Sequence, residues 1–125
     1  MIYGIGTDIV AVARMAELYR RHGERTLEKI LAPPERNACR NSPVPARFLA
    51  KRFAAKEALG KALGTGVRAP ALLPAIAVVH DGLGKPDFEF APSLADYLSE
   101  RSLIAHLSMS DEQDHAIAFV ILEQT

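Results

Sequence analysis

The sequence predicts an α+β domain in which a mainly antiparallel sheet of about five strands packs on one long central helix. Three observations predict it. Arg47 to Leu63, RFLAKRFAAKEALGKAL, consists largely of good helix formers and contains no proline. Ile104 to Ser110 alternates side chains with the period of a strand, and Met1 to Val10 is rich in β-branched and aromatic residues. Two short apolar segments, Ala75 to His80 and Phe88 to Phe90, flank the loop DGLGKP, and Ala116 to Leu122 is an unbroken apolar run.

In the first strand, Tyr3, Ile5, Thr7 and Ile9 share one face, and Gly4, Gly6 and Asp8 the other. Two residues without side chains beside a carboxylate leave a bare patch for a ligand, or simply let the next layer pack. Asp8 itself suits either a helix cap or a metal ligand. Val10 to His22 fits a helix with Val12, Met15, Ala16 and Tyr19 turned inward. A second row, Arg14, Leu18, Arg21 and, beyond Gly23, Arg25, is either a solvated face softened by Glu17 and Glu24 or a dock for an acidic helix. Thr26 to Leu31 reads as a helical continuation stopped by Pro33 and Pro34, Glu35 to Arg40 as a further turn, and Asn41 to Pro45 as a connector.

The central helix carries an apolar arc of Leu49, Phe53, Leu59 and Leu63, with Phe48 at its margin. A second stripe runs through Arg47, Ala50, Ala54, Glu57 and Lys61 at spacings of three and four. Arg47 and Glu57 stand roughly 15 Å apart along the axis, and the alanines between them leave room for a ligand with several anionic groups. On the helix alone, an exposed Glu57–Lys61 pair worth a few tenths of a kcal/mol and a solvated Arg47 explain the same residues. Arg52 and Lys56 project into the apolar arc, so they must snorkel, meet a ligand or sit at a subunit boundary. Gly64-Thr65-Gly66 ends the helix, and Pro70 and Pro74 bound the loop that follows. Ala91 to Arg101 is a helix capped by Ser93, with Leu94, Tyr97 and Leu98 on one side. In the late strand His106, Ser108 and Ser110 face one way, and Ala105, Leu107 and Met109 the other. His106 alone suits a satisfied histidine at a strand edge. Asp111 to Asp114 is a turn, and the final run reads as a strand covered on both faces.

The chain of 125 residues is expected to be one domain, residues 1–125, with 49% hydrophobic and 24% charged residues. A formal net charge of +0 gives no nucleic-acid signature, so any partner preference lies in local charge. Cys39 is the one cysteine, which excludes an intrachain disulfide and suits a reducing compartment. No segment has the pattern of a signal peptide or of a membrane span, so a cytoplasmic protein with no membrane partner is expected.

GIGTDIV at Gly4 to Val10, RFLAKRFAAKEALGKALGTG at Arg47 to Gly66, GKP at Gly84 to Pro86 and HLSMSDE from His106 occur in that order. Together they resemble the bacterial holo-acyl-carrier-protein synthases, the small stand-alone class of phosphopantetheinyl transferases. The resemblance runs nearly end to end. Its specific part is FAAKEA, Phe53 to Ala58, with Lys61; the glycine-rich strand and the GKP triplet are weak alone. The resemblance implies the phosphopantetheinyl transferase fold and transfer of the phosphopantetheine arm of coenzyme A to a serine hydroxyl of apo acyl carrier protein, releasing adenosine bisphosphate, within fatty acid biosynthesis. It further implies that Asp8 and Glu57 hold a magnesium ion and that Lys61 meets a pyrophosphate oxygen. Arg47 would take the ribose phosphate of coenzyme A, His106 and Ser108 would line the coenzyme site, and Arg14 and Arg21 would dock the carrier protein. Glu57, directly or through water, is the expected proton acceptor. Asp111 stands where those family members with a second histidine in this strand carry it, so a mechanism needing that histidine does not carry over. Members are homotrimers with sites between subunits, which would account for Arg52 and Lys56. The competing reading is a non-catalytic module of the same fold that binds coenzyme A or carrier protein. The larger two-lobed transferases are about twice this length, which argues against them.

Overall fold

The long helix is the hub of the computed structural model, which describes residues 1–125. In chain order the elements are β1 (Ile2–Ala11), α1 (Val12–His22), α2 (Glu24–Ile30), α3 (Pro33–Arg40), α4 (Pro45–Leu63), a single 3-10 turn (Leu73–Ala75), β2 (Ile76–His80), β3 (Pro86–Phe90), α5 (Pro92–Glu100), β4 (Leu103–Asp111) and β5 (His115–Gln124). The central helix is α4. It starts on Pro45, since a first-turn amide has no partner to lose, and stops at Gly64, whose φ of 82° turns its N–H back to the carbonyls of Gly60 and Lys61.

All five expected strands are present and every pairing is antiparallel, but they form two sheets rather than one. The larger is ordered β1-β5-β4 and the smaller is the β2-β3 hairpin. Helix α4 lies across the larger sheet. Gly4 and Gly6 make that possible: a Cβ on either would sit 2.0 Å from a carbonyl oxygen of α4, that of Ala62 or Ala58. The glycine face of β1 is therefore a packing face, with Asp8 next along it. Asp8 does not cap α1, whose N-cap is Ala11 with no side-chain bond.

The opposite face of the sheet departs from expectation. Residues along β5 alternate buried and exposed, with Ile117 and Phe119 each 43% exposed, so this strand is covered on one side only within the chain. Cross-strand pairing places Ile5 and Ile9 of β1 beside Ile121 and Ile117, extending the apolar face.

Other local readings change for identifiable reasons. Gly23 separates α1 from α2, and Ala16 is exposed rather than inward. Pro33 and Pro34 open α3 as its first two residues instead of merely ending what precedes them. Helix α5 begins at Pro92 with Ala91 as N-cap, so Ser93 lies inside the first turn and caps nothing.

Arg52 and Lys56 are accounted for within the chain, without a subunit boundary. Both turn inward onto Glu35 of α3, whose carboxylate accepts from Lys56 Nζ at 2.6 Å, Arg52 at 3.0 Å, and the backbone N–H groups of Val78 at 3.0 Å and Ala32 at 2.8 Å. Lys56 is 0% exposed, and its ammonium also donates to the carbonyls of Ile30 at 2.7 Å and Leu73 at 3.2 Å. Arg52 additionally bonds the Val78 carbonyl and stacks on Phe48, its guanidinium carbon 4.4 Å from the ring centroid. Burial pulls the Lys56 ammonium down to about 8, against the opposing pull of Glu35. Buried charge of this kind persists only when paired and fully bonded, and here it is. No helix is long and apolar enough to cross a membrane.

Candidate active site

Asp8 leaves β1 on the α4 side, just past the glycines that let the helix approach. Lys61, from the last turn of α4, donates to Asp8 Oδ1 at 3.0 Å and to the Thr7 carbonyl at 2.9 Å. Glu57 lies one turn before Lys61 on the same helix face. Its carboxyl is held above the ordinary glutamate value, first by burial and then by the charge of Asp8, while Lys61 and Arg14 pull the other way. Two acids and two cations therefore act on one another where β1 meets the end of α4. No group of three or more His, Cys, Asp or Glu side chains is placed to hold a metal. What the chain offers is a pair of hard carboxylates in mutual repulsion. That donor set suits a magnesium ion whose remaining ligands are phosphate and water.

The rest of the expected site is not gathered around this pair. Ala50 and Ala54 are fully buried, so the channel expected between Arg47 and Glu57 is filled by the core. At the far end of α4, Arg47 Nε and Lys51 Nζ stand 3.9 Å and 3.7 Å from the carboxylate of Asp111 on β4. Arg47 Nε is itself buried without a hydrogen-bond partner. His106 and Ser108 pair with Ile121 and Phe119, which puts them on the apolar face of the sheet, turned away from Asp8 and Glu57. There His106 Nε2 lies 3.0 Å from Glu123.

Beside the acidic pair runs a groove of about 420 Å³, its rim formed by Arg14, Leu18, His22, Arg25, Lys29 and Phe53. The Arg14 guanidinium carbon stands 5.3 Å from the centroid of the Phe53 ring. Arg14 thus links the groove to Glu57. Arg21 is exposed but does not line the groove. The sequence reading gives no role to His22 or Lys29 and places Phe53 in the apolar arc of the helix, whereas the structure puts all three on the groove. His22 follows Leu18, and Lys29 follows Arg25, at the i, i+4 spacing that shares a helix face, but the break at Gly23 concealed how α2 lies beside α1. A larger cleft of about 520 Å³ between α5, β3 and β4 shares no residue with the acidic pair or the groove.

Residues 4–120 match the family described as the 4'-phosphopantetheinyl transferase superfamily. The chain belongs to that superfamily. Within it, the chain is 60% identical over 98% of both chains to a holo-[acyl-carrier-protein] synthase of Azoarcus sp., and 61% identical over 98% of both to one of Dechloromonas aromatica. In structure it is similar to the holo-[acyl-carrier-protein] synthase of Neisseria meningitidis, with a TM-score of 0.95 and 46% identity, covering 99% of this chain and 100% of that one. It is also similar to the Bacillus anthracis synthase in complex with CoA (3',5'-ADP), with a TM-score of 0.83 and 35% identity, covering 100% of this chain and 99% of that one. The two-sheet α+β arrangement around α4 is thus the phosphopantetheinyl transferase fold.

Proposed function

We propose that this phosphopantetheinyl transferase moves the phosphopantetheine arm of coenzyme A onto a serine hydroxyl of apo acyl carrier protein, giving holo carrier protein and adenosine bisphosphate. The observation that carries the reading is the Asp8–Glu57 carboxylate pair, tied to Lys61 and opening beside a basic groove. Its near full-length similarity to named holo-[acyl-carrier-protein] synthases supports the same reaction.

In the reaction, the serine oxygen attacks the phosphorus that keeps the pantetheine arm, and the bond to the second phosphate breaks. Asp8 and Glu57 would hold magnesium, which supplies positive charge to the pyrophosphate as that bond breaks. Glu57, directly or through water, would accept the serine proton. Lys61 has three N–H donors, of which Asp8 and the Thr7 carbonyl take two, leaving one for a phosphate oxygen of the leaving group. Arg47, with 38% of its side chain exposed, would take a second phosphate by paired hydrogen bonds from its guanidinium. The groove offers Arg14, Arg25 and Lys29 around apolar Leu18 and Phe53, a complement to an acidic amphipathic helix on the carrier, with Arg21 at its periphery.

His106 and Ser108 belong to the coenzyme site in this reading only if a neighbouring subunit brings them to Asp8 and Glu57. We therefore place the working unit as a cytoplasmic homotrimer, with the apolar sheet face as the buried surface. The test is to incubate the chain with apo carrier protein, coenzyme A and magnesium and weigh the carrier. It should gain the mass of one phosphopantetheine arm, and a chelator should prevent the gain. An unchanged carrier mass with adenosine bisphosphate still bound would leave only a binding module.

A further inference from the structure

Lys56 adjoins Glu57 in sequence yet points to the other side of α4, where the chemistry proposed above does not use it. Its ammonium has three donors and three acceptors: Glu35 at 2.6 Å, the Ile30 carbonyl at 2.7 Å and the Leu73 carbonyl at 3.2 Å. Two of those acceptors share a location. Ile30, at the end of α2, and Leu73, in the 3-10 turn, both line the basic groove. One buried side chain on the helix that carries Glu57 therefore holds the backbone of two separate parts of the groove.

We propose that Lys56 is a positioning residue that fixes the carrier-protein groove relative to α4, and so sets how far a docked serine lies from Glu57. It touches no substrate. The inference rests on the transferase reading and adds to it a residue that couples docking to chemistry. Bulk does not explain the choice of residue, since a methionine would fill the same volume without desolvating a charge. A methionine could not, however, bond two carbonyls from different segments at once. Misplacing a reacting group by about 1 Å can cost a rate roughly a hundredfold, so such a bracket has functional weight.

Arg52 supplies an internal control. It leans on the same Glu35 carboxylate at 3.0 Å, but its other partner is the Val78 carbonyl on β2, which does not line the groove. Loss of Arg52 weakens the ion cluster while leaving both groove carbonyls in place.

The experiment compares full-length wild type with Lys56→Met, Lys56→Met combined with Glu35→Gln, Lys56→Gln and Arg52→Met. It measures kcat and KM for apo carrier protein, the Kd of 3',5'-ADP and the Tm. The expected result for the Met variants is a kcat/KM for carrier lowered about tenfold or more, with the nucleotide Kd within about twofold of wild type. Lys56→Gln, which keeps amide donors, should fall between. Arg52→Met should lose thermal stability while its carrier kcat/KM stays within about twofold. The proposal is overturned if the Lys56 variants leave the carrier kcat/KM unchanged, weaken nucleotide and carrier alike, or fail to fold while Arg52→Met folds. An equal carrier defect in Arg52→Met overturns it too. Wild type that transfers no arm would instead sink the parent reading, and this inference with it.

Discussion

At the scale of single residues, Asp8 and Glu57 have little structural work to do apart from each other and Lys61. Asp8 neither caps α1 nor fills the core, and Glu57 sits half-buried with its carboxyl raised by burial and by Asp8. Glu57→Gln and Asp8→Asn are nearly isosteric, so both should leave the Tm within a few degrees. Turnover at saturating substrates should fall roughly a hundredfold or more, as expected when the proposed magnesium loses one of its two carboxylate ligands. Near wild-type turnover in either variant would take that residue out of the proposed metal pair. Cys39 makes the opposite case, an acid with a structural role alone. Burial pushes its thiol up to about 11, so between pH 9 and 11 the folded chain keeps a proton that the unfolded chain releases. Stability should therefore fall as pH rises through that window, by at most about 1.4 kcal/mol per pH unit from this group. Urea unfolding at several pH values checks it: Cys39→Ala should show a shallower decline than wild type, and parallel declines would contradict the assignment.

At the scale of elements, the close approach of β1 to α4 holds the acidic pair together, and two missing side chains make it possible. Gly6→Ala would drive a Cβ to 2.0 Å from the Ala58 carbonyl, a backbone atom that no rotamer change can move. The expected cost is about 3 kcal/mol in denaturant unfolding. Gly82→Ala, where nothing lies within 4 Å, should cost no more than about 0.5 kcal/mol. Similar costs at the two positions would show that the contact is not tight. These elements also show what the sequence could reveal. Helix α4 and the alternation of β4 were legible because propensity and period are local properties of a few neighbouring residues. The Glu35–Lys56–Arg52 cluster was not, since its partners are 21 and 17 residues apart and nothing in the spacing pairs them. The open stripe on α4 was misread for the same reason. Ala50 and Ala54 are small enough to look like a ligand platform, and only the placement of neighbouring elements shows that they are core. Of the candidate site, Asp8, Glu57 and Lys61 are named by the resemblance, whereas the groove walls at His22 and Lys29 depend on a turn at Gly23 that has no periodic signature.

At the scale of the whole molecule, the unbalanced feature is the outer face of the β1-β5-β4 sheet. Ile5 and Ile9 are 60% and 63% exposed, Ile117 and Phe119 43% each, and Tyr3 44%. An apolar face of this kind is unusual on a monomer and fits the subunit interface proposed above. His106 and Ser108 stand on this same face, away from Asp8 and Glu57 of their own chain. If identical subunits bury it around a closed axis, each site draws acids from one chain and His106 from the next, and the arrangement has a consequence that pairs of defective chains can reveal. Asp8→Asn and His106→Ala homo-oligomers should each be impaired, yet chains of the two kinds, unfolded together and refolded at equal ratio, should regain activity. Random assembly puts an intact acid pair next to an intact His106 at about a quarter of the sites, so recovery should approach that fraction of wild type. Adding Phe119→Glu to both chains places charge at the centre of the proposed interface. It should lower the mass in light scattering and abolish the recovery together. Mixtures that assemble but stay inactive would mean that each site is built within a single chain, and that the apolar face serves some other contact.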